Sequence, residues 1–255
     1  MRTSAEPLAR PAPFRGLLAF TACELRVQLH ENTAILTSML TQAVLITFVG
    51  LLAPSLFGVA LVGAILFSGF TLGQRTLNEA AYIRIDSKLH ELFLASPLAP
   101  ESYFLGMCFG VLLAYLPPIV ALGGLAYWVL RPSLVAGLTL LGCAALVWVF
   151  SASFGYILST QFRDNRAIWS YSSLLYNFFG VLPPVFYPIA LFPRALRPVA
   201  LLLPPSAGAA LTDNALTPGL LAPGEVALAV AALAVAAASL FALGVYWSRR
   251  SVREE

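Results

Sequence analysis

The residues from Leu56 to Gln74, LFGVALVGAILFSGFTLGQ, form an uninterrupted apolar run without a single ionisable side chain. As a helix that rises about 1.5 Å per residue, this run nearly matches the hydrocarbon core of a bilayer, which is about 30 Å thick. We therefore predict a membrane-spanning helix here, and similar runs recur along the chain.

The composition of the whole chain supports the same class of protein. Hydrophobic residues make up 59% of the sequence and charged residues only 11%, and the mean hydropathy is +0.83, values far from those of soluble domains. The apolar runs are continuous, whereas the strands of a membrane barrel would alternate over about 10 residues. The sequence therefore predicts an all-α membrane protein.

Six apolar segments are each long enough to cross a bilayer. The predicted spans are 33–52, 56–74, 102–130, 134–161, 168–187 and 225–247. They divide the chain into an N-terminal region (1–32), a six-helix transmembrane domain (33–247) and a short tail (248–255). Within the domain, 75–101 is predicted as a loop on the side of the termini and 188–224 as a region on the opposite side.

The basic residues give the predicted orientation. Twelve of the fifteen lie on the side that holds both termini, and the opposite side has only Arg131, Arg194 and Arg197. Because cytoplasmic loops carry the excess of Arg and Lys, we expect a multi-pass protein of the cell membrane with both termini in the cytoplasm.

The N-terminal region contains a predicted amphipathic helix from Phe14 to Asn32, too polar to span and suited to the membrane surface. A plain lead-in helix without a special role explains the pattern equally well. The apolar side of the helix is expected to carry Leu17, Leu18, Thr21, Leu25 and Leu29. The polar side is expected to carry Glu24, Arg26, Gln28 and Glu31.

The region 188–224 is rich in proline and too broken to cross the membrane, yet apolar enough to dip into it. Broken backbone at membrane depth must be covered by protein or line a wet cavity. We predict short re-entrant or interfacial helices, with a loop lying flat among the headgroups as the alternative.

The loop 75–101 contains a small amphipathic segment. Leu89, Leu92 and Phe93 fall at i, i+3 and i+4, which places them on one face of a short helix, while Lys88 and Glu91 point away. Ser96 precedes Pro97, where helical geometry is disfavoured. So short a helix needs a surface to bury its apolar face, either on its own membrane domain or on a partner.

Catalytic and metal-binding patterns are missing from the sequence. The stretch HELFL, 90–94, has Leu94 where a zinc protease needs its second histidine, and no phosphate-binding loop of the GxxxxGK[ST] type occurs. The predicted spans hold ionisable residues only at their ends, which disfavours ion-coupled transport. We expect no catalytic, cofactor or metal residues, no nucleic-acid partner, and an energy source on another chain.

Uncharged polar residues occur inside the spans, among them Gln42. Small or hydrogen-bonding side chains form stripes at helical spacing, which allow helices to pack closely; the alternative is that they contact a transported molecule. The candidate residues for a pathway or dimer interface are Ser68, Thr71, Ser173, Asn177 and Gly180.

The order of these features resembles that of the ABC-2 type permeases, the membrane subunits of ATP-binding cassette transporters. The stretch DSKLHELFLASPLAPESYFLG, 86–106, is similar to the family's coupling helix and the start of its third span. The stretch FRDNRAIWSYSSLLYNFFGVLPPVFYPIALFP, 162–193, is similar to the family's fifth span and the Pro-rich end of that span. The chain departs from the pattern at Ser87-Lys88 and Leu182-Pro183, which leaves the branch open between drug or lipid exporters and polysaccharide exporters.

The resemblance implies a complex of two such permeases, identical or related, with two cytoplasmic ATPases that bind ATP and Mg. It implies export of an amphipathic substrate, such as a lipid, a lipid-linked glycan or a drug-like molecule. The alternatives are a channel or secondary carrier and an assembly subunit that transports nothing.

The resemblance also implies roles for individual residues. Lys88, Leu89, Glu91, Leu92, Phe93 and Ser96 would couple the permease to the ATPase. Pro183, Pro184, Phe186, Tyr187 and Pro188 would form an external gate.

Overall fold

The computed structural model describes residues 13–30, 32–87, 98–162 and 164–251, and throughout these ranges the regular structure is helical, with no strand. The α-helices are α1 (Pro13–His30), α2 (Asn32–Leu52), α3 (Phe57–Ala81), α4 (Pro100–Leu130), α5 (Leu134–Ser159), α6 (Asn165–Val181), α7 (Arg197–Leu201), α8 (Pro204–Leu216) and α9 (Pro223–Ser251). A π-helical turn, Tyr82–Asp86, continues α3, and 3₁₀ turns occur at Pro54–Leu56, Ile189–Leu191 and Arg194–Leu196.

Among the residues that the structure describes, five stretches are long and apolar enough to cross a membrane: Ile35–Leu52, Pro54–Asp86, Pro100–Leu130, Leu134–Ser159 and Pro223–Arg250. The described part of the chain is thus all-helical, and its long apolar helices indicate a multi-pass membrane protein. The counterpart of the fifth predicted span is α6, which has only 17 residues. It ends at Val181 because Pro183 and Pro184, which follow almost at once, cannot continue a helix.

Helix α3 is longer than the sequence predicted. It continues past Gln74 to Ala81 because Thr76, Leu77 and Asn78 are buried against neighbouring helices. Arg75 and Glu79, which the sequence analysis placed in a loop, therefore lie on a helix within the bundle. The predicted span 56–74 itself contains no ionisable residue, but the helix to which it belongs continues through Arg75 and Glu79.

Helix α3 occupies the centre of the bundle and contacts α2, α4, α5, α6 and α8. Its apolar side chains, including Leu61, Leu66 and Phe70, are almost fully buried. In contrast, α2 is mostly exposed and touches the bundle along only one side. The packing of the other helices is thus organised around α3.

The closest approach of two helices is between α3 and α5. A Cβ atom on Gly73 would overlap Ser151, and a Cβ atom on Gly155 would overlap the carbonyl oxygen of Gly73. Ser151 Oγ donates a hydrogen bond to the carbonyl of Phe70, and Tyr176 Oη of α6 donates one to the carbonyl of Ser151 at 3.3 Å. Small residues here bring the backbones into direct contact, as is typical of helices in membranes.

Helix α1 packs along α4 with a face that matches the predicted one only in part. Phe20 contacts Gly106, and Glu24 lies against Gly110, because the missing side chains on α4 leave room for them. Glu24 and Gln28 are only 3% and 4% exposed, whereas Leu18 and Leu29 are exposed. Of the predicted apolar side, Thr21 is buried and Leu17 and Leu25 are half-buried, so the sequence predicted the buried face of this helix only in part.

Contacts at the helix ends show the directions of the helices. The end of α9 meets the start of α4, where Arg249 and Glu101 are 3.3 Å apart, and Trp247 Nε1 donates to Thr160 Oγ1 after α5 at 3.0 Å. At the opposite end, Gly58 at the start of α3 faces Leu130 at the end of α4. We call these the Asp86 end and the Leu130 end of the bundle.

The direct contact between α3 and α5 predicts a large effect from a small substitution. Gly155→Ala should lower the stability by about 1–3 kcal/mol, because the new methyl group forces the two backbones apart. The measurement is thermal unfolding of the purified protein in detergent. Gly142→Ala, on the same helix with open space around its Cβ position, is the matched control and should cause no loss. Equal unfolding temperatures for the two variants would contradict the interpretation.

Candidate functional site

The predicted coupling segment lies outside the described residues, which resume at Leu98 after Ser87. The residues concerned are Lys88, Leu89, Glu91, Leu92, Phe93 and Ser96. The structure does describe both flanks of this segment, and each flank is attached to the bundle.

On the first flank, Arg84 holds the π-helical turn against the end of α5. Its guanidinium donates hydrogen bonds to the carbonyls of Ser159 and Phe162, the latter at 2.6 Å. A cation at a helix C-terminus satisfies carbonyls that have no partner within the helix. Ser87 Oγ also donates to the carbonyl of Ile83 at 3.0 Å. Movement of this flank is therefore linked directly to the end of α5.

On the second flank, Leu98 lies against Gly16 of α1, and α4 begins at Pro100. Glu101, in the first turn of α4, pairs with Arg249 near the end of α9. Because both side chains are partly exposed, we expect this ion pair to contribute at most about 1 kcal/mol. The two flanks are thus anchored to different helices at the same end of the bundle.

Three of the five candidate pathway residues line one cavity. Ser68, Thr71 and Asn177 border a space of about 330 Å³ between α2, α3, α4 and α6. The other two have different surroundings. Ser173 Oγ accepts a hydrogen bond from Gln74 Nε2 at 3.2 Å, and Gly180 packs directly against Phe67. Gly180 therefore serves the packing of α6 on α3.

The cavity also contains groups to which the sequence analysis gave no role. Gln42 of α2 is 5% exposed, and its Oε1 atom has no hydrogen-bond partner. Arg75 of α3 lies with its Cζ atom 5.5 Å from the ring centroid of Tyr115 of α4, a cation–π arrangement. Gln42 was visible as a polar residue inside a predicted span, but Arg75 had been placed in a loop.

The predicted external-gate residues lie at the Leu130 end. Pro183, Pro184 and Phe186 are buried, while Tyr187 and Pro188 are half-buried. The carbonyl of Val185 lies against Gly63 of α3, and the rings of Phe186 and Phe67 are 5.4 Å apart. This segment is therefore packed onto α3 rather than extended as a free loop.

Helix α8 is inserted among α3, α5 and α9, with Gly208 facing Leu66, Cys143 and Val147. Its residue Asp213 is 8% exposed, and no described residue donates a hydrogen bond to its carboxyl group. Burial raises the pKa of Asp213 to about 7. The carboxyl group therefore binds a proton near neutral pH.

A polar network joins α1 to α3. Gln28 Nε2 donates to Glu24 Oε1 at 2.8 Å and to Glu79 Oε2 at 3.0 Å, so that one amide group bridges two carboxyl groups. Within the described ranges, no three His, Cys, Asp or Glu side chains come together in a way that would hold a metal ion. These contacts thus place two carboxyl groups beside one amide.

A comparison of the chain with models of known protein families and with characterised proteins found no match. The functional interpretation consequently depends on the residues and contacts described above.

The anchoring role of Arg84 can be tested by stability measurements. Arg84→Ala should lower the free energy of unfolding by about 1.5–3 kcal/mol, because hydrogen bonds from a charged donor to two carbonyls are lost. Arg84→Lys should retain part of this stability. Arg194→Ala, which removes an exposed arginine elsewhere, is the control. If Arg84→Ala and Arg194→Ala unfold at the same temperature in detergent, the contacts at Ser159 and Phe162 do not stabilise the bundle.

The buried Asp213 predicts a pH-dependent stability. Between about pH 4 and pH 7 the folded chain binds a proton here that the unfolded chain does not, so stability falls as the pH rises through about 7. Raising the pH from about 5.5 to about 8 should lower the free energy of unfolding by about 2 kcal/mol through the ionisation of this group. Asp213→Asn should remove this part of the dependence of stability on pH. An unchanged pH profile of the unfolding temperature in the variant would contradict the assignment.

Proposed function

We propose that this chain is the membrane-spanning permease subunit of an ABC transporter of the ABC-2 type. It would move an amphipathic substrate out of the cytoplasm or the inner leaflet, and ATP hydrolysis on a separate ATPase subunit would supply the energy. The support from the sequence is the resemblance of the stretches 86–106 and 162–193 to two motifs of that family.

The observation that carries the proposal is the attachment of both flanks of the segment 88–97. Arg84 joins the first flank to the end of α5, while α4, which begins just after the second flank, is joined to α9 through Glu101 and Arg249. A force applied to the segment would therefore reach four helices of the bundle. This is the mechanical requirement for a segment that receives the motion of an ATPase.

The packing of α6 supports a sixth span. Ser172 Oγ lies 3.3 Å from Asn78 Oδ1, and Gly180 packs against Phe67, so α6 runs antiparallel to α3 between these two contacts. In α8, Gly208 faces Cys143, which is about 14 Å along α5 from the Leu130 end. That depth supports the re-entrant helix predicted for the region 188–224.

The surface of α6 supports a second permease copy as partner. Ser173 and Asn177 are exposed in the single chain, next to the exposed apolar side chains of Leu174 and Phe178. Polar groups facing lipid are unfavourable, and a second copy would cover them or enclose them in a wet pathway. Either arrangement agrees with a dimer, identical or related.

One alternative is favoured by a specific observation. Glu24, which is buried, and Glu79, which is half-buried, share the amide of Gln28, and carboxyl groups within a helical bundle are typical of proton-coupled carriers. A carrier would transport without an ATPase. Transport that starts only when the ATPase subunit and ATP are added would exclude this alternative.

The coupling role of the segment 88–97 predicts a selective defect. The double variant Leu92→Asp and Phe93→Asp should abolish the copurification of the ATPase and the stimulation of ATP hydrolysis by the permease, because charge replaces the apolar face that would dock in the ATPase groove. The measurements are affinity copurification and ATP hydrolysis in proteoliposomes.

The matched control is Thr217→Asp with Leu220→Asp, which places the same two charges in the exposed turn before α9. This control should assemble and hydrolyse ATP normally. Normal assembly and coupling in the Leu92 and Phe93 double variant would overturn the proposed function.

A further inference from the structure

The cavity between α2, α3, α4 and α6 has a polar part and an apolar part. Arg75 lies six residues before the end of α3 and therefore toward the Asp86 end, and Gln74 and Thr37 border the cavity near it. Leu122 and Leu125 of α4 border the cavity toward the Leu130 end. A ligand that fills this space needs one polar and one apolar part.

The hydroxyl groups in the cavity act as acceptors toward a ligand. Ser68 Oγ donates to the carbonyl of Ala64 at 2.7 Å, Thr71 Oγ1 to that of Ser68 at 3.0 Å, and Thr41 Oγ1 to that of Thr37 at 2.9 Å. A hydroxyl group that donates its hydrogen bond to a carbonyl of its own helix can still accept hydrogen bonds through the lone pairs of its oxygen. The complementary ligand therefore carries hydrogen-bond donors.

Gln42 is a second, independent indication that the ligand carries hydrogen-bond donors. Its side chain is 95% buried, it borders the cavity, and its Oε1 atom has no hydrogen-bond partner. A buried acceptor without a partner is rare and unfavourable, so such a group in a cavity indicates an absent donor. A hydrogen-bond donor on a molecule that enters the cavity would satisfy this oxygen.

Arg75 determines the charge of that molecule. Its guanidinium lies over the ring of Tyr115, and no described residue forms an ion pair with it. Arginine is always ionised, and a cation within an apolar helical bundle is stabilised by a partner of opposite charge. An anionic group next to Arg75 would meet that need with charge-assisted hydrogen bonds.

We propose that this cavity binds a single amphiphile with an anionic head group that also carries hydroxyl donors, as in a glycerophosphate lipid. The head group lies at Arg75, Gln42 and Thr71, and the tail runs along Leu122 and Leu125. Met39 and Leu125 are 41% and 37% exposed, so the cavity opens sideways and the tail can extend into the bilayer. The role of the cavity in transport rests on the proposed function. Binding of the lipid itself does not require the ATPase.

The test is native mass spectrometry of the full purified chain in detergent with defined lipids of identical acyl chains. Phosphatidylglycerol has the anion and the hydroxyl donors, phosphatidylethanolamine has donors without net charge, and phosphatidylcholine has neither. We expect phosphatidylglycerol to bind at least about tenfold more tightly than phosphatidylcholine, with phosphatidylethanolamine between them. Equal retention of the three lipids by the wild-type chain would overturn the proposal. This comparison needs no substituted variant.

Substitutions locate the binding. Arg75→Gln should abolish the preference for phosphatidylglycerol over phosphatidylethanolamine, Arg75→Lys should retain most of it, and Gln42→Leu should weaken phosphatidylglycerol binding several-fold. Arg26→Gln, which removes an exposed arginine from α1, is the matched control and should bind as the wild type does. An unchanged preference in Arg75→Gln would overturn the proposal. So would displacement of the lipid by free glycerol phosphate, since that would show that the tail plays no part.

The lipid-binding experiment and the coupling experiment can fail independently of each other. If phosphatidylglycerol binds without preference while the Leu92 and Phe93 variant loses its ATPase, the lipid site is refuted and the proposed function stands. If the preference is found while that variant couples normally, the lipid site stands and the permease function is refuted.

Discussion

The contact between the backbones of α3 and α5 is the constraint on which the remaining packing depends. At Gly73 and Gly155 no side chain separates the two helices, so their distance and rotation are determined by the backbones themselves. Ser151 adds its hydrogen bond to Phe70, and Tyr176 binds the same turn from α6. With α3 held in this position, α6 lies antiparallel to it, α8 fits beside it, and the side of α3 facing α2 and α4 borders the cavity.

Two polar groups in this bundle connect one element to another. The amide of Gln28 links α1 to α3 through two carboxyl groups, and Arg84 links the turn after α3 to the end of α5. Each of these groups has its partner within the bundle, as expected where water is scarce. Gln42 and Arg75 differ from them, because they border a cavity and the former has an acceptor atom without any partner.

The candidate site could be predicted in part. Ser68, Thr71 and Asn177 were found from helical spacing and polarity, and the structure places all three at one cavity. Spacing along one helix does not say which neighbour faces each position, however. The same pattern included Gly180, which packs against Phe67 and Phe70 and does not border the cavity, and it omitted Arg75, whose membership of α3 depends on the burial of Thr76 and Leu77.

Composition and periodicity alone determined the class of the protein, the positions of the long helices and the helical nature of the N-terminal region, because a bilayer demands long apolar stretches whose backbone groups are satisfied within each helix. Only the tertiary structure decided which face of α1 is buried, how far α3 extends and which polar residues share a cavity. These depend on close approaches at glycines such as Gly73 and Gly110, where the fit of one helix against another overrides the pattern within either one.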